Sequence, residues 1–243
     1  LKGISILVSL QVVPLTINYI NPTRYGIWLT LSSIVAWLSY FDLGFAHGFR
    51  NRFAEAVAKG DMQLAREYVS TYVVLSLLFS SVFLIAIVVN HFVDWSAILN
   101  VDAAYSSELN IVFGILAFFF CLNIVASIFT TMLTANQKPA LASLIQTLGQ
   151  VFGFICIYIL TKTVPGNLDV LAFAFSGVPC FLLIIISIGM FLSGRYRHLS
   201  PSFHFVHFSL TKKIVGLGGQ FFIIMISMLF VFQLINIVIS RVA

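Results

Sequence analysis

Long apolar runs separated by short polar breaks dominate this chain, and nearly all of its charges fall in the breaks. A bilayer's hydrocarbon core, roughly 30 Å thick, takes about 20 helical residues to cross. Seven runs approach or exceed that length: Gly3–Ile20, Gly26–Phe45, Val69–Phe92, Leu109–Leu133, Ala140–Leu160, Val170–Leu192 and Ile214–Ile239. None alternates with period two, as a membrane barrel strand does. A helix satisfies its own backbone groups in hydrocarbon, so such runs read as helices. The pattern predicts an all-α polytopic membrane bundle. Composition agrees: 60% of residues are hydrophobic, 9% are charged, and the mean hydropathy is +1.05, which no soluble domain of this size shows.

The basic residues are not shared evenly among the breaks. Arg50, Arg52, Lys59 and Arg66 lie in the second, Lys138 in the fourth, and Arg195, Arg197, Lys212 and Lys213 in the sixth. With Lys2, that is ten of the thirteen cations; Arg24, Lys162 and Arg241 are left for the other side. The positive-inside rule then predicts a cytoplasmic N-terminus. The third break holds Asp94, Asp102 and Glu108 without a cation, as an outer loop should. Divided in this way, the net charge of +5 is a topology signal and predicts no nucleic-acid partner. Leu1 opens almost inside an apolar run and the chain stops just after the seventh, which we read as a fragment cut at both ends. No cleavable signal peptide is visible in the first run.

The breaks are too short for a soluble domain, which directs function to work within or across the bilayer. In the second break, Glu55 and Lys59 sit at i, i+4 and the alanines around them suit a short interfacial helix. Gly60 is expected to end it and Asp61 to cap the helix of the third span. Pro14 and Pro179 fall inside spans one and six and predict kinks there.

Polar residues inside spans are expensive and must face protein or water. Asp42 is the only acidic one, near the end of span two, with His47 and Arg50 following within about two turns. Gln146 and Gln150 share a face of span five; Asn123, Thr130 and Thr134 make an intermittent stripe on span four. Gln233 and Asn236 lie in span seven and Asn18 late in span one. Each taken alone reads as interhelical glue. Their recurrence points to a shared polar cavity, uncharged at mid-depth and suited to a sugar or a headgroup.

Other chemistry finds little support. Cys121, Cys156 and Cys180 are spread over three spans and read as packing residues. His204-x-x-His207 lacks the acidic or thiol company that a metal site needs. No phosphate loop, nucleophile elbow or zinc-protease motif occurs, so no catalytic constellation and no cofactor are expected.

Several short motifs point further. They are Pro22-Thr-Arg-Tyr-Gly-Ile-Trp28, Phe41-Asp-Leu-Gly-Phe45, Arg50-Asn-Arg-Phe-Ala-Glu-Ala56 with Lys59-Gly-Asp61, Thr134-Ala-Asn-Gln-Lys-Pro139 and Gly216-Leu-Gly-Gly-Gln-Phe-Phe222. Through them the chain resembles the Wzx-type polysaccharide (O-antigen) flippases. These belong to the multidrug/oligosaccharidyl-lipid/polysaccharide superfamily, alongside the MATE drug exporters. The resemblance covers nearly the whole chain and does not name the glycan. It implies a MATE-like two-lobed bundle, with residues 1–193 as the first six-helix lobe, 194–213 as a cytoplasmic inter-lobe linker and 214–243 as the first helix of the second lobe.

It also implies alternating-access transport of an isoprenoid diphosphate-linked oligosaccharide across a bacterial inner membrane, with glycan-assembly proteins as possible partners. Under that reading Arg50 and Arg52 capture the diphosphate, Arg24 meets it at the outer mouth and Asp42 gates. Asn18, Asn123, Gln146, Gln150, Gln233 and Asn236 line the glycan path. The rivals are a cation-coupled drug exporter of the MATE type, a membrane enzyme of glycan assembly and a structural membrane subunit.

Overall fold

In the computed structural model the described residues are 1–242 apart from 91, 94, 100 and 195, with the side chains of 36–43, 86 and 229–243 not described. The chain is 88% helical, with no strand among the described residues: an all-α polytopic bundle. The helices are α1 (Lys2–Ile20), α2 (Pro22–Ala58), α3 (Met62–Asn90), α4 (Trp95–Leu99), α5 (Ser106–Ala126), α6 (Ile128–Ala135), α7 (Pro139–Thr163), α8 (Leu168–Leu192) and α9 (Phe208–Val242). Six stretches among the described residues are long and apolar enough to cross a membrane: α1, α3, Ala103–Ala135, α7, α8 and Phe208–Met228. The run Gly26–Phe45 is also helical, within α2, but part of it falls on the side chains outside the described residues.

Local chemistry explains the boundaries. Asn21, at φ 74°, accepts a hydrogen bond from the Arg24 amide through Oδ1, and Pro22 follows at the first helical position. The helix so started runs for 37 residues, about 55 Å, well beyond the hydrocarbon thickness. The separate interfacial helix expected around Glu55 is therefore the continuation of α2. Its end matches expectation: Gly60 takes φ 75°, and Asp61 Oδ1 accepts from the Leu64 amide at 2.9 Å. Span four is α5 and α6 joined at Ser127, which keeps helical dihedrals. Pro14 and Pro179 lie inside α1 and α8, and both helices continue through them. Helix α9 starts at Phe208, a turn and a half before its apolar run.

Contacts between breaks sort the two ends of the bundle. At one end, Arg66 Nε donates to Ser200 O at 2.9 Å, and its guanidinium lies 4.2 Å from the Phe205 ring centroid. Lys138 Nζ donates to the Tyr196 hydroxyl at 3.1 Å. The α2–α3 turn, the α6–α7 turn and the α8–α9 linker thus meet at this linker end. At the opposite end, Arg24 pairs with Glu108, and the Tyr19 hydroxyl donates to Pro165 O.

Two apolar cores follow the same division. Phe49, Phe53, Tyr72, Phe129, Met132 and Ile214 belong to the core nearer the linker end. Ile20, Trp28, Leu31, Leu109 and Leu168 belong to the other. The periphery is also apolar: Ile85, Val88, Ile185 and Ile223 are each more than 60% exposed. A surface of that kind suits lipid rather than water.

Helix α2 packs against α3, α5, α6 and, most extensively, α9. The α2–α9 crossing is almost backbone on backbone. A Cβ added to Gly44 would sit 2.9 Å from Gly218 O, and one added to Gly48 would collide with Ile214 O. Gly44 and Gly48 are four apart, hence on one face, the spacing that lets membrane helices approach closely. A similar notch, Gly149 and Gly153 of α7, receives Pro179 of α8. Gly48→Ala should therefore destabilise the purified protein by ~1–3 kcal/mol, read as a lowered thermal midpoint in detergent. Gly114→Ala, with open space around its site, should leave the midpoint unchanged or raise it.

Candidate functional site

The predicted polar residues divide into those that reach a cavity and those that do not. One cavity of about 350 Å³ lies among α1, α2, α7 and α8, walled by Trp28, Phe175, Pro179, Ser9, Thr16 and Gln150. A second, about 290 Å³, lies among α2, α5 and α8 and contains Asn123, Ser32 and Ser176. The two share Trp28, Phe175 and Pro179 as a dividing wall, with the Trp28 and Phe175 rings edge to face at 5.1 Å. Gln146 and Asn18 are exposed and line neither cavity. Thr130 and Thr134 donate to Ser127 O and Thr130 O of their own helical segment, so Asn123 is the cavity residue of that stripe. Gln233, Asn236 and Asp42 fall on side chains outside the described residues.

Among the described residues, the side chains of Asn123, Gln146 and Gln150 make no hydrogen bond to another helix. Interhelical glue needs such a bond. All three are exposed. An amide at membrane depth with no protein partner must meet water, a polar ligand or a further protein surface, since hydrocarbon leaves it unsatisfied. The walls around Gln150 and Asn123 are otherwise mostly apolar, the usual setting in which a few polar groups orient a ligand.

Arg50 and Arg52 diverge. Two residues on one helix are about 200° apart around its axis, so they address different surroundings. Arg52 Nη1 holds Glu55 Oε2 at 3.0 Å, and Lys59 Nζ holds Glu55 Oε1 at 2.7 Å. Arg50 is half-buried, one turn from His47, whose ring stacks on Phe221 of α9 at 5.1 Å. No ion pair to Arg50 occurs among the described residues. Arg24 Nε lies 3.2 Å from Glu108 Oε1, so the cation at the opposite end already has a carboxylate partner.

Sequence reasoning missed Ser9 and Thr16 as cavity walls because short hydroxyl residues are common in membrane helices. It also missed the aromatic partition, since α8's Phe175 meets α2's Trp28 only through the fold. The two linker histidines part company. His207 approaches Glu67 at 3.7 Å and its amide donates to Thr71 Oγ1, while the His204 ring sits edge-on to Phe205.

No family model, curated protein or solved structure matches the chain.

The Lys59 and Arg52 cations beside Glu55 hold its carboxyl below the ordinary range. The group is exposed, so water screens the effect. A depressed folded-state value stabilises the fold above the unfolded value, and that stabilisation is lost as pH falls through the folded one. Wild type should therefore have a slightly higher thermal midpoint than Glu55→Gln at about pH 6, and the gap should narrow as pH falls below the ordinary carboxylate range.

Proposed function

We propose that the chain forms part of a membrane transporter that passes an isoprenoid diphosphate-linked oligosaccharide between leaflets of a bacterial inner membrane. The observation that carries the reading is that Gln150 and Asn123, at membrane depth, line cavities without bonding to a neighbouring helix. A glycan is recognised by hydrogen bonds, and uncharged amides on apolar walls offer donors and acceptors without fixing an ion. The motif resemblance supplies the substrate class, and the helical bundle is compatible with it.

Capture of the diphosphate falls to Arg50. Its guanidinium is free of a carboxylate among the described residues, and it follows the in-span Asp42 on a continuous helix. A guanidinium engages phosphate oxygens with two parallel hydrogen bonds, which a lysine cannot do. Arg24 holds the opposite end through Glu108, and an arriving diphosphate would compete with that carboxylate. The basic linker end takes the cytoplasmic side under the positive-inside rule.

In a cysteine-free background, Gln150→Cys and Asn123→Cys should react with a membrane-impermeant thiol reagent. Thr147→Cys, at a position only 6% exposed, should not. Equal protection of all three would remove the water-filled path. In cells making surface polysaccharide, Arg50→Gln at normal protein level should lower surface glycan by about tenfold, ~1.4 kcal/mol in barrier terms. Unchanged glycan would take Arg50 out of the mechanism.

A further inference from the structure

A cavity of about 210 Å³ at the linker end is unlike the two described above. Arg52, Glu55 and Lys59 of α2, Tyr68 of α3 and Lys213 of α9 bring their side chains to it. Three cations thus surround a space that holds one carboxylate. Glu55 is already spoken for, bridging Arg52 Nη1 and Lys59 Nζ. Glu67, next to Tyr68 in sequence, is engaged by Gln63 at 3.2 Å and faces His207. The cavity therefore keeps an excess of positive charge.

Arg52 adds a second sign. Its Nε–H is out of contact with solvent and has no hydrogen-bond partner. The Arg52 side chain is 35% exposed overall, so a small turn of the guanidinium would bring this donor to an oxyanion in the cavity. Tyr68, 4% exposed, supplies a phenol to the same wall. Such a set of two lysine ammoniums, one guanidinium and one phenol is donor-rich and fits a tetrahedral oxyanion. Its three cations outnumber its one carboxylate, Glu55, so an anion is favoured over a cation, and Ala56 and Leu64 complete the wall.

We propose that this cavity binds a phosphate group and, through it, ties α9 to the α2–α3 hairpin. Two sources carry the same chemistry: the headgroup of an anionic lipid at that face, or a soluble polyphosphate. Basic pockets between membrane helices commonly take headgroups of this kind. Lys213 is the decisive residue, because it alone comes from beyond the linker. The transport reading gave Arg52 to diphosphate capture beside Arg50, but Arg50 is not in this cavity and binding here is measured without transport.

The test uses the purified chain in two kinds of nanodisc. In phosphatidylcholine discs, inorganic pyrophosphate is titrated by calorimetry. In a second series, phosphatidylcholine is replaced stepwise by phosphatidylglycerol and the thermal midpoint is followed. Lys59→Gln and Lys213→Gln are compared with Lys212→Gln, which removes the same charge from the neighbouring exposed position. The proposal expects saturable binding or stabilisation in at least one series, weakened about tenfold by Lys59→Gln and Lys213→Gln and little changed by Lys212→Gln. Response to pyrophosphate identifies a soluble ligand; response to phosphatidylglycerol alone identifies a headgroup. No saturable response in either series, or equal losses in all three variants, overturns the proposal. Circular dichroism of each variant establishes that the fold is intact.

Discussion

Where α2 crosses α9 the two backbones come into contact, and much of the bundle is arranged around that crossing. In lipid there is little hydrophobic gain from pressing helices together, so close packing of backbone surfaces must hold them. Gly44, Gly48 and Gly218 provide that surface by having no side chain to interpose. The crossing brings Phe221 over His47 and places Ile214 in the core with Phe49 and Tyr72. It also carries Lys213 to the end of α2, where Arg52 and Lys59 lie. Packing there and the charge arrangement at the linker end are consequences of the same close approach.

Helix α2 links membrane depth to the surface. It starts at a proline-led cap, passes the Trp28 partition between the two cavities, and ends beyond hydrocarbon in a run of charges. Along it the environment changes from apolar walls with isolated amides to a cationic rim. That gradient is what a polar, anionic cargo would need: an electrostatic landing, then hydrogen-bonding groups that do not trap it as an ion pair would. The divergence of Arg50 and Arg52 splits the rim into two places, one a turn beyond His47, the other between α3 and the start of α9.

Much of the fold was legible in the sequence because lipid imposes one simple rule on backbone groups. The spans, the Gly60 turn and the Asp61 cap all follow from composition and local chemistry. The continuity of α2 through Glu55 was not, since the apolar pattern stops at Phe45 while Phe49, Phe53 and Ala56 stay buried against α3. Such burial depends on a partner far along the chain. The site was legible in part. Gln150 and Asn123 reach cavities, but Gln146, one turn from Gln150, does not, and the threonines of span four bond back to their own helix. Helical spacing gives the face a residue occupies, not what lies opposite. The glycine notch beneath Pro179 had a visible four-residue spacing, yet its partner was set by the fold.

The central claim is that polar cargo crosses between leaflets along this bundle. The most direct test reconstitutes the protein in proteoliposomes with a fluorescent isoprenoid diphosphate oligosaccharide and follows its exposure to an impermeant quencher. The account predicts leaflet exchange well above that of protein-free liposomes, slowed about tenfold by Arg50→Gln. Exchange no faster than in protein-free liposomes, with the protein folded and correctly inserted, would contradict it.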